Sequence, residues 1–237
     1  MKVIIMAAGR GTRISKDIEK IPKCTLPLGR VSLIRNTINL FLENSIDVCL
    51  VVGYQKNHIL KEVDDLPIEI VYNPFYQFTN SIASLWFAKE FLTDDEIILI
   101  NGDVYIEQDT IDLLLAEKAS PVMLADSRKV DEGDFFFKYN NHILQDYGKD
   151  LKKHMRTGEY VGIAKISSSF VDVFRNTLNS MIESERYNDW WENVLYHLSD
   201  HGKNVYITDI GDRYWSEIDK IEDYYKIRDY INKTVVK

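Results

Sequence analysis

Three short apolar runs limit what this chain can fold into: Val3-Ile4-Ile5-Met6, Val48-Cys49-Leu50-Val51-Val52 and Ile97-Ile98-Leu99-Ile100. None alternates apolar with polar residues, so each must be covered on both faces, as strands inside a helix-flanked parallel sheet are. Helical spacing fills the intervals, first with Ile34, Ile38, Phe41 and Leu42, then with Ile82, Leu85 and Trp86. Further strands are expected at Ile68 to Tyr72, Val122 to Ala125, Tyr160 to Ile166 and Val205 to Thr208, with a short one near Phe135 to Phe137. A closing amphipathic helix sets Ile221, Tyr224, Tyr225, Ile227 and Ile231 against Glu222, Asp223, Lys226 and Arg228. The expected class is α/β: a mixed, mostly parallel sheet flanked by helices.

No internal repeat, Gly/Ser or Pro-rich linker or low-complexity segment marks a boundary, and 237 residues are read as a single domain, 1–237. The stretch Asp126 to Gly158 is the most polar and least periodic, which predicts loops or a small hairpin at the mouth of any site. With 29 Lys plus Arg against 37 Asp plus Glu, the net charge of −8 disfavours nucleic acid as a partner, although a single nucleotide could bind locally. Cys24 and Cys49 are too few and too far apart for a disulfide framework or a cysteine zinc site. A reducing, cytoplasmic setting is therefore expected. The run Met1 to Met6 is shorter than a signal peptide needs, and no stretch reaches the roughly 20 apolar residues that span a bilayer, so no membrane partner is expected.

The chemistry begins after the first strand, where Ala7-Ala8-Gly9-Arg10-Gly11-Thr12-Arg13 is followed by Pro22-Lys23. Small residues let the main chain approach a ligand, glycines turn successive N–H groups toward an anion, and Arg13 and Lys23 supply positive charge; a triphosphate fits. A glycine turn with two solvated cations is the bland alternative. The segment is no dinucleotide fingerprint, since Ile14 stands where a third glycine should, and no Walker A string occurs in the chain. Asn101-Gly102-Asp103 ends the third apolar run and places Asp103 at the strand edge where open α/β sheets bind ligands. Magnesium takes one or two protein carboxylates, and Glu217-Ile218-Asp219 offers a second in Asp219. Asp219 could equally cap the closing helix, and Asp103 could be a turn-forming residue. A glycosyltransferase would want D-x-D, whereas the string here is Asp103-Val104-Tyr105.

Asp189-Trp190-Trp191-Glu192 puts two indoles between two carboxylates, and Trp215 lies near the late acids, a combination suited to an ammonium group through cation–π attraction. Trp191, Val194, Leu195 and Leu198 also form a helical apolar stripe, so one of the two tryptophans is expected in the core. His197 and His201 are four apart but lack the glutamate of a zinc-protease helix, and read as partly exposed residues near a helix end.

Together, Ala7 to Arg13, Pro22-Lys23, Asn101 to Asp103 and Glu217 to Asp219 resemble the nucleotidyltransferases of the sugar-phosphate and phosphocholine type. That resemblance implies a Rossmann-like fold of the nucleotide-diphospho-sugar transferase kind, with Mg2+ as cofactor, and gives Arg13 and Lys23 catalytic roles on the NTP phosphates. It makes Asp103 and Asp219 the magnesium ligands. It places Ala7, Ala8, Gly9, Arg10, Gly11, Thr12, Gly53, Asn80, Ser81, Ser84 and Gly102 around the nucleotide. The string Asn73 to Trp86 looks most like the cytidylyltransferase branch acting on phosphocholine and aminoethylphosphonate, which makes CTP the expected donor. Tyr160, Asp189, Trp190, Glu192 and Trp215 are then the acceptor's candidates. The expected partners are CTP and a small phosphorylated or phosphonate amino compound, the expected state a monomer or small homo-oligomer. The alternatives are another NTP with a sugar 1-phosphate, an amino-acid phosphate such as phosphoglutamine as acceptor, and a non-catalytic nucleotide-binding relative.

Overall fold

A computed structural model describes residues 1–11, 14 and 21–235. Its strands, in chain order, are β1 (Lys2–Ala7), β2 (Asp47–Val52), β3 (Glu69–Tyr72), β4 (Ile97–Asn101), β5 (Val104–Ile106), β6 (Val122–Asp126), β7 (Phe136–Asn140), β8 (Ile143–Gly148), β9 (Gly158–Ile166), β10 (Tyr206–Asp209) and β11 (Trp215–Glu217). The helices are α1 (Leu33–Glu43), α2 (Lys56–Val63), α3 (Ser81–Phe87), α4 (Gln108–Ala116), α5 (Ser168–Glu183), α6 (Asn193–Asp200) and α7 (Ile221–Val235).

Nine strands form one sheet in the order β3-β2-β1-β4-β9-β6-β10-β8-β7. β1 lies parallel between β2 and β4, β3 extends β2 in parallel, and β10 is parallel to β6. β9 sits between β4 and β6, antiparallel to both. The sheet is thus mixed, with β1, β2, β3, β4, β6 and β10 running one way. Successive side chains of a strand point to opposite faces, and that explains the unbroken apolar runs. In β1, Ile4 and Met6 join the core under α3, α5 and α6, while Val3, Ile5 and Ala7 join the one under α1, α2 and α4. α1 starts where the Ser32 hydroxyl accepts from the Arg35 N–H, and it buries Leu33, Ile34, Thr37, Ile38 and Phe41 against that second face.

Two features go beyond the sequence expectations. The polar stretch Asp126 to Gly158 does contain a hairpin, β7 against β8, but β7 also pairs with β9, so the hairpin extends the main sheet. A separate ribbon pairs β5 with β11, Glu217 opposite Val104 and Trp215 opposite Ile106. Under α7 a third core gathers Ile14, Leu26, Leu28, Leu33, Tyr105, Ile218, Tyr224 and Ile227, and the Tyr224 hydroxyl donates to the Pro27 carbonyl at 2.8 Å. The closing helix thereby holds the segment after Lys23 and the segment before Asp219 to one another. Among the described residues, no helix is long and apolar enough to cross a membrane.

Candidate active site

A cleft of about 270 Å³ opens at the C-terminal edge of β1 and β4, lined at one end by Ala8, Gly9, Lys23, Asp103, Glu217 and Asp219. Parallel strands leave that edge free for loops, so the end of β1, the end of β4 and the chain leaving β11 all meet there. The β5–β11 ribbon brings the late acids home: Ile218 N–H donates to the Asp103 carbonyl at 3.0 Å, which sets Glu217 and Asp219 on either side of the residue bonded to Asp103. One carboxylate oxygen from each of Asp103, Glu217 and Asp219 lies within 4.8 Å of the others.

Lys23 enters this acid group from a single 3-10 turn after Pro22. Its ammonium pairs with the Asp103 carboxylate and lies 3.3 Å from Asp219 Oδ1. Burial alone would lower its pKa, but Asp103, Glu217 and Asp219 outweigh burial and raise it above that of an ordinary lysine, so it stays charged. Glu217 is pushed well above the usual carboxylate range, first by burial and then by Asp103 and Asp219. The Asp103 Oδ1 atom is buried without a hydrogen-bond partner. Three crowded carboxylates, one with an orphaned oxygen, form a donor set that suits a hard divalent cation.

Asp219 lies two residues before Ile221, the first residue of α7. Asp223, one turn into the helix, accepts from the Lys220 N–H at 3.0 Å and the Asp219 N–H at 3.4 Å. Asp223 thus reaches back over the residues before the helix, and Asp219 Oδ1 lies 3.3 Å from the Lys23 ammonium.

The residues expected around a nucleotide fall into three groups. Ala8, Gly9, Asn80, Ser81 and Ser84 line the cleft, with Tyr76 and Thr79 beside them. Asn80 accepts through its side chain from the Ser81 N–H, and the buried Asn73 amide donates to Thr79 and Ser84 hydroxyls, which fixes this wall. Ala7, Arg10, Gly11, Gly53 and Gly102 shape the loop rather than line the cleft. A Cβ on Gly53 would lie 2.7 Å from the Ala8 carbonyl, so only glycine lets β2 end this close to the loop. Gly102 N–H donates to the Met6 carbonyl, and the Arg10 guanidinium lies over the Tyr54 ring at 5.7 Å. Gly11 has a left-handed φ of +57° against the Lys23 stem. Thr12 and Arg13 lie outside the described residues.

At the other end, Tyr160, Trp190 and Glu192 line the cleft as expected acceptor residues. Trp190 is half-exposed, and Trp191 is the core member of the pair. Two acceptor candidates are placed elsewhere. Trp215 is buried, and its indole donates to Asp126 Oδ2 at 2.8 Å behind the ribbon, because its strand partner Ile106 turns it away from the cleft. Asp189 is tied to Arg186 at 2.7 Å, where it closes the turn before α6. The His197 and His201 rings lie 4.1 Å apart, tilted by 39°, at the C-terminal end of α6, and neither lines the cleft.

Sequence reasoning overlooked Glu217, which the strand period places on the same face as Asp219, two residues on. It also passed over Asp134, Phe135, Lys149 and Tyr196 of the cleft wall, and for the first three the aperiodic stretch offered no signal.

The family described as the MobA-like NTP transferase domain matches residues 3–164. Among curated proteins, the bifunctional protein GlmU of Methanococcus maripaludis (strain C7) is 28% identical over 219 residues, covering 89% of this chain and 51% of its own length. The chain thus spans about half the length of that relative. The choline-phosphate cytidylyltransferase of Streptococcus pneumoniae (strain R6) is 24% identical over 237 residues, with 98% of each chain covered. The solved structure of CTP:phosphocholine cytidylyltransferase from Streptococcus pneumoniae superimposes with a TM-score of 0.78 at 22% identity, over 97% of this chain and 98% of that one. The fold is that of the nucleotide-sugar transferases.

Proposed function

The chain belongs to the MobA-like NTP transferase family, and from that premise we propose that it is a nucleotidyltransferase that transfers CMP from CTP to a small phosphorylated or phosphonate amino compound of the phosphocholine kind, releasing pyrophosphate. The observation that carries the reading is the convergence of Lys23, Asp103 and Asp219 beside the Ala8-Gly9 turn. The choice of CTP rests on the end-to-end similarity to a cytidylyltransferase and on the wall from Tyr76 to Ser84. Residues 1–237 are taken as a single domain working in the cytoplasm as a monomer or small homo-oligomer, without nucleic acid or membrane.

In this reading the Gly9 to Gly11 turn receives the triphosphate through its backbone N–H groups, with Arg13 and Lys23 neutralising charge. Asp103 and Asp219, with Glu217 adjacent, would hold Mg2+, which when bound supplies Lewis-acid charge neutralisation at phosphate oxygens. The acceptor's phosphate or phosphonate oxygen attacks the α-phosphorus in line, the bond to the β-phosphate bridging oxygen breaks, and pyrophosphate leaves. No general base is needed, since the attacking oxygen is already ionised near neutral pH, and the chain's task is positioning and charge stabilisation.

The test is pyrophosphate release with each of four NTPs against phosphocholine, phosphoethanolamine, 2-aminoethylphosphonate, phosphoglutamine and several sugar 1-phosphates. Turnover confined to CTP and amino acceptors is expected, and abolished by EDTA. Turnover with a sugar 1-phosphate and another NTP would replace this reading with the sugar-nucleotide one.

A further inference from the structure

The acceptor end of the cleft contains rings, as the tryptophan-rich string suggests, but their faces are largely turned to each other. Phe135 and Tyr196 stack at 5.5 Å with planes 9° apart, and Tyr147 stacks on Tyr196 at 4.1 Å. Trp190 meets Phe135 edge-on at 86°, and the chain's own Lys149 ammonium lies 5.1 Å from the centre of the Trp190 ring. A quaternary ammonium is held by open ring faces around it, since it has no hydrogen to donate. Here most of those faces are committed within the protein, Trp190 keeping part of its surface open.

Beside the rings lies a hydrogen-bonding floor of fixed polarity. The Trp191 indole can only donate, and it donates to Asn101 Oδ1 at 2.7 Å. That fixes the Asn101 amide so that its nitrogen donates to Glu192 Oε1 at 3.0 Å. Glu192 is buried and lines the cleft as an acceptor. Next to it the Tyr160 hydroxyl is also buried and also lines the cleft; it interacts with the Glu192 carboxyl but meets no partner at full hydrogen-bond geometry, and its oxygen is left to accept. A buried polar atom left unmade costs more than an average hydrogen bond gains, so a ligand that satisfies it is favoured.

We propose that this floor is a receptor for a primary amine, with Glu192 and Tyr160 selecting acceptors whose head group donates N–H bonds over acceptors whose nitrogen is fully methylated. The inference rests on the nucleotidyl-transfer reading above and narrows its acceptor. A protonated amine would donate to the Glu192 carboxylate and to the Tyr160 hydroxyl oxygen, while a trimethylammonium could donate to neither and would meet few open ring faces. Sites built to hydrogen-bond a substrate group reject analogues lacking it far more strongly than apolar pockets reject added methylenes.

The experiment is a graded series on the full chain with CTP and Mg2+: phosphoethanolamine, its N-methyl and N,N-dimethyl derivatives, and phosphocholine. The expected result is a fall in kcat/KM with methylation, at least about tenfold from first to last. Tyr160→Phe should shrink that ratio chiefly by raising KM for phosphoethanolamine, leaving KM for phosphocholine within about twofold. Phosphocholine turned over as well as phosphoethanolamine would overturn the proposal and leave the nucleotidyl-transfer reading standing. So would turnover confined to phosphates that lack nitrogen. Absence of pyrophosphate release with every acceptor of both panels would overturn both.

Discussion

The two ends of the cleft are built on opposite principles. At the Lys23 end, full charges answer full charges, with one ammonium against three carboxylates and an orphaned Asp103 oxygen among them. At the Glu192 end, order comes from neutral donors and stacked rings, with the Trp191 indole orienting Asn101 and Asn101 orienting the one carboxylate. The first end concentrates full charges at one point, whereas the second commits its groups to shape and hydrogen-bond polarity.

Substitutions that discharge the first end should show the largest effect. Lys23→Ala or Asp103→Ala is expected to cut turnover at least about 100-fold while leaving the circular dichroism spectrum intact, on the scale of a single charge-stabilising group. Rates within a few-fold of the wild type would dissolve the contrast between the two ends.

The adjacent tryptophans sharpen it at the other end. Trp191 is fully buried, and its change to Ala should cost about 3–5 kcal/mol in urea unfolding as a core cavity. Trp190→Ala should unfold near the wild-type midpoint and instead raise the acceptor KM. Equal stability losses would mean that Trp190 is structural too.

A smaller, pH-linked effect comes from Glu192. Burial, with a lesser contribution from the Asp103 charge, holds its carboxyl up at about 7, and Tyr160, Tyr196 and Glu217 also face this region. A folded pKa raised above the unfolded one stabilises the protein fully below about pH 4.5, and that contribution is lost as pH rises through about 7. Thermal midpoints should therefore favour Glu192→Gln over the wild type more at pH 8 than at pH 5. Acceptor KM should move the opposite way, falling in the wild type as Glu192 ionises and changing less in Glu192→Gln, which separates it from titration of the acceptor phosphate.

The smallest expectation concerns the thiols. Burial, chiefly, pushes Cys24 and Cys49 up to about 12, Cys24 even with Lys23 beside it. Neither should react with a thiol reagent in the native protein, and both should react in denaturant. Rapid native labelling of Cys24 would show that the Lys23 turn opens.

The charged end was legible because its groups sit at the ends of apolar runs, where local sequence already says that a strand stops. Asp103 follows β4 directly, and the Ala7 to Gly11 turn follows β1. The opposite end was legible only in part. Trp190, Glu192 and Tyr160, candidates by residue type, line the cleft, whereas Trp215, a candidate by its nearness along the chain to Asp219, is turned to Asp126 by the pairing of β11 with β5. Lys149, Asp134 and Phe135 come from a stretch with no periodicity to read, placed beside the cleft by the pairing of β7 with β9.

The α/β class, the glycine turn after β1 and the acid after β4 are written in the sequence, because hydrophobic period and strand termination are local properties of the chain. Contacts made only in the folded chain set the Asp219 carboxylate beside Lys23, put Trp191 rather than Trp190 in the core, and turn the rings beside Glu192 toward one another. Those outcomes depend on which of several competing partners lies within hydrogen-bonding or van der Waals reach. That is set by pairings between residues such as Trp191 and Asn101, ninety positions apart, and no local pattern encodes it.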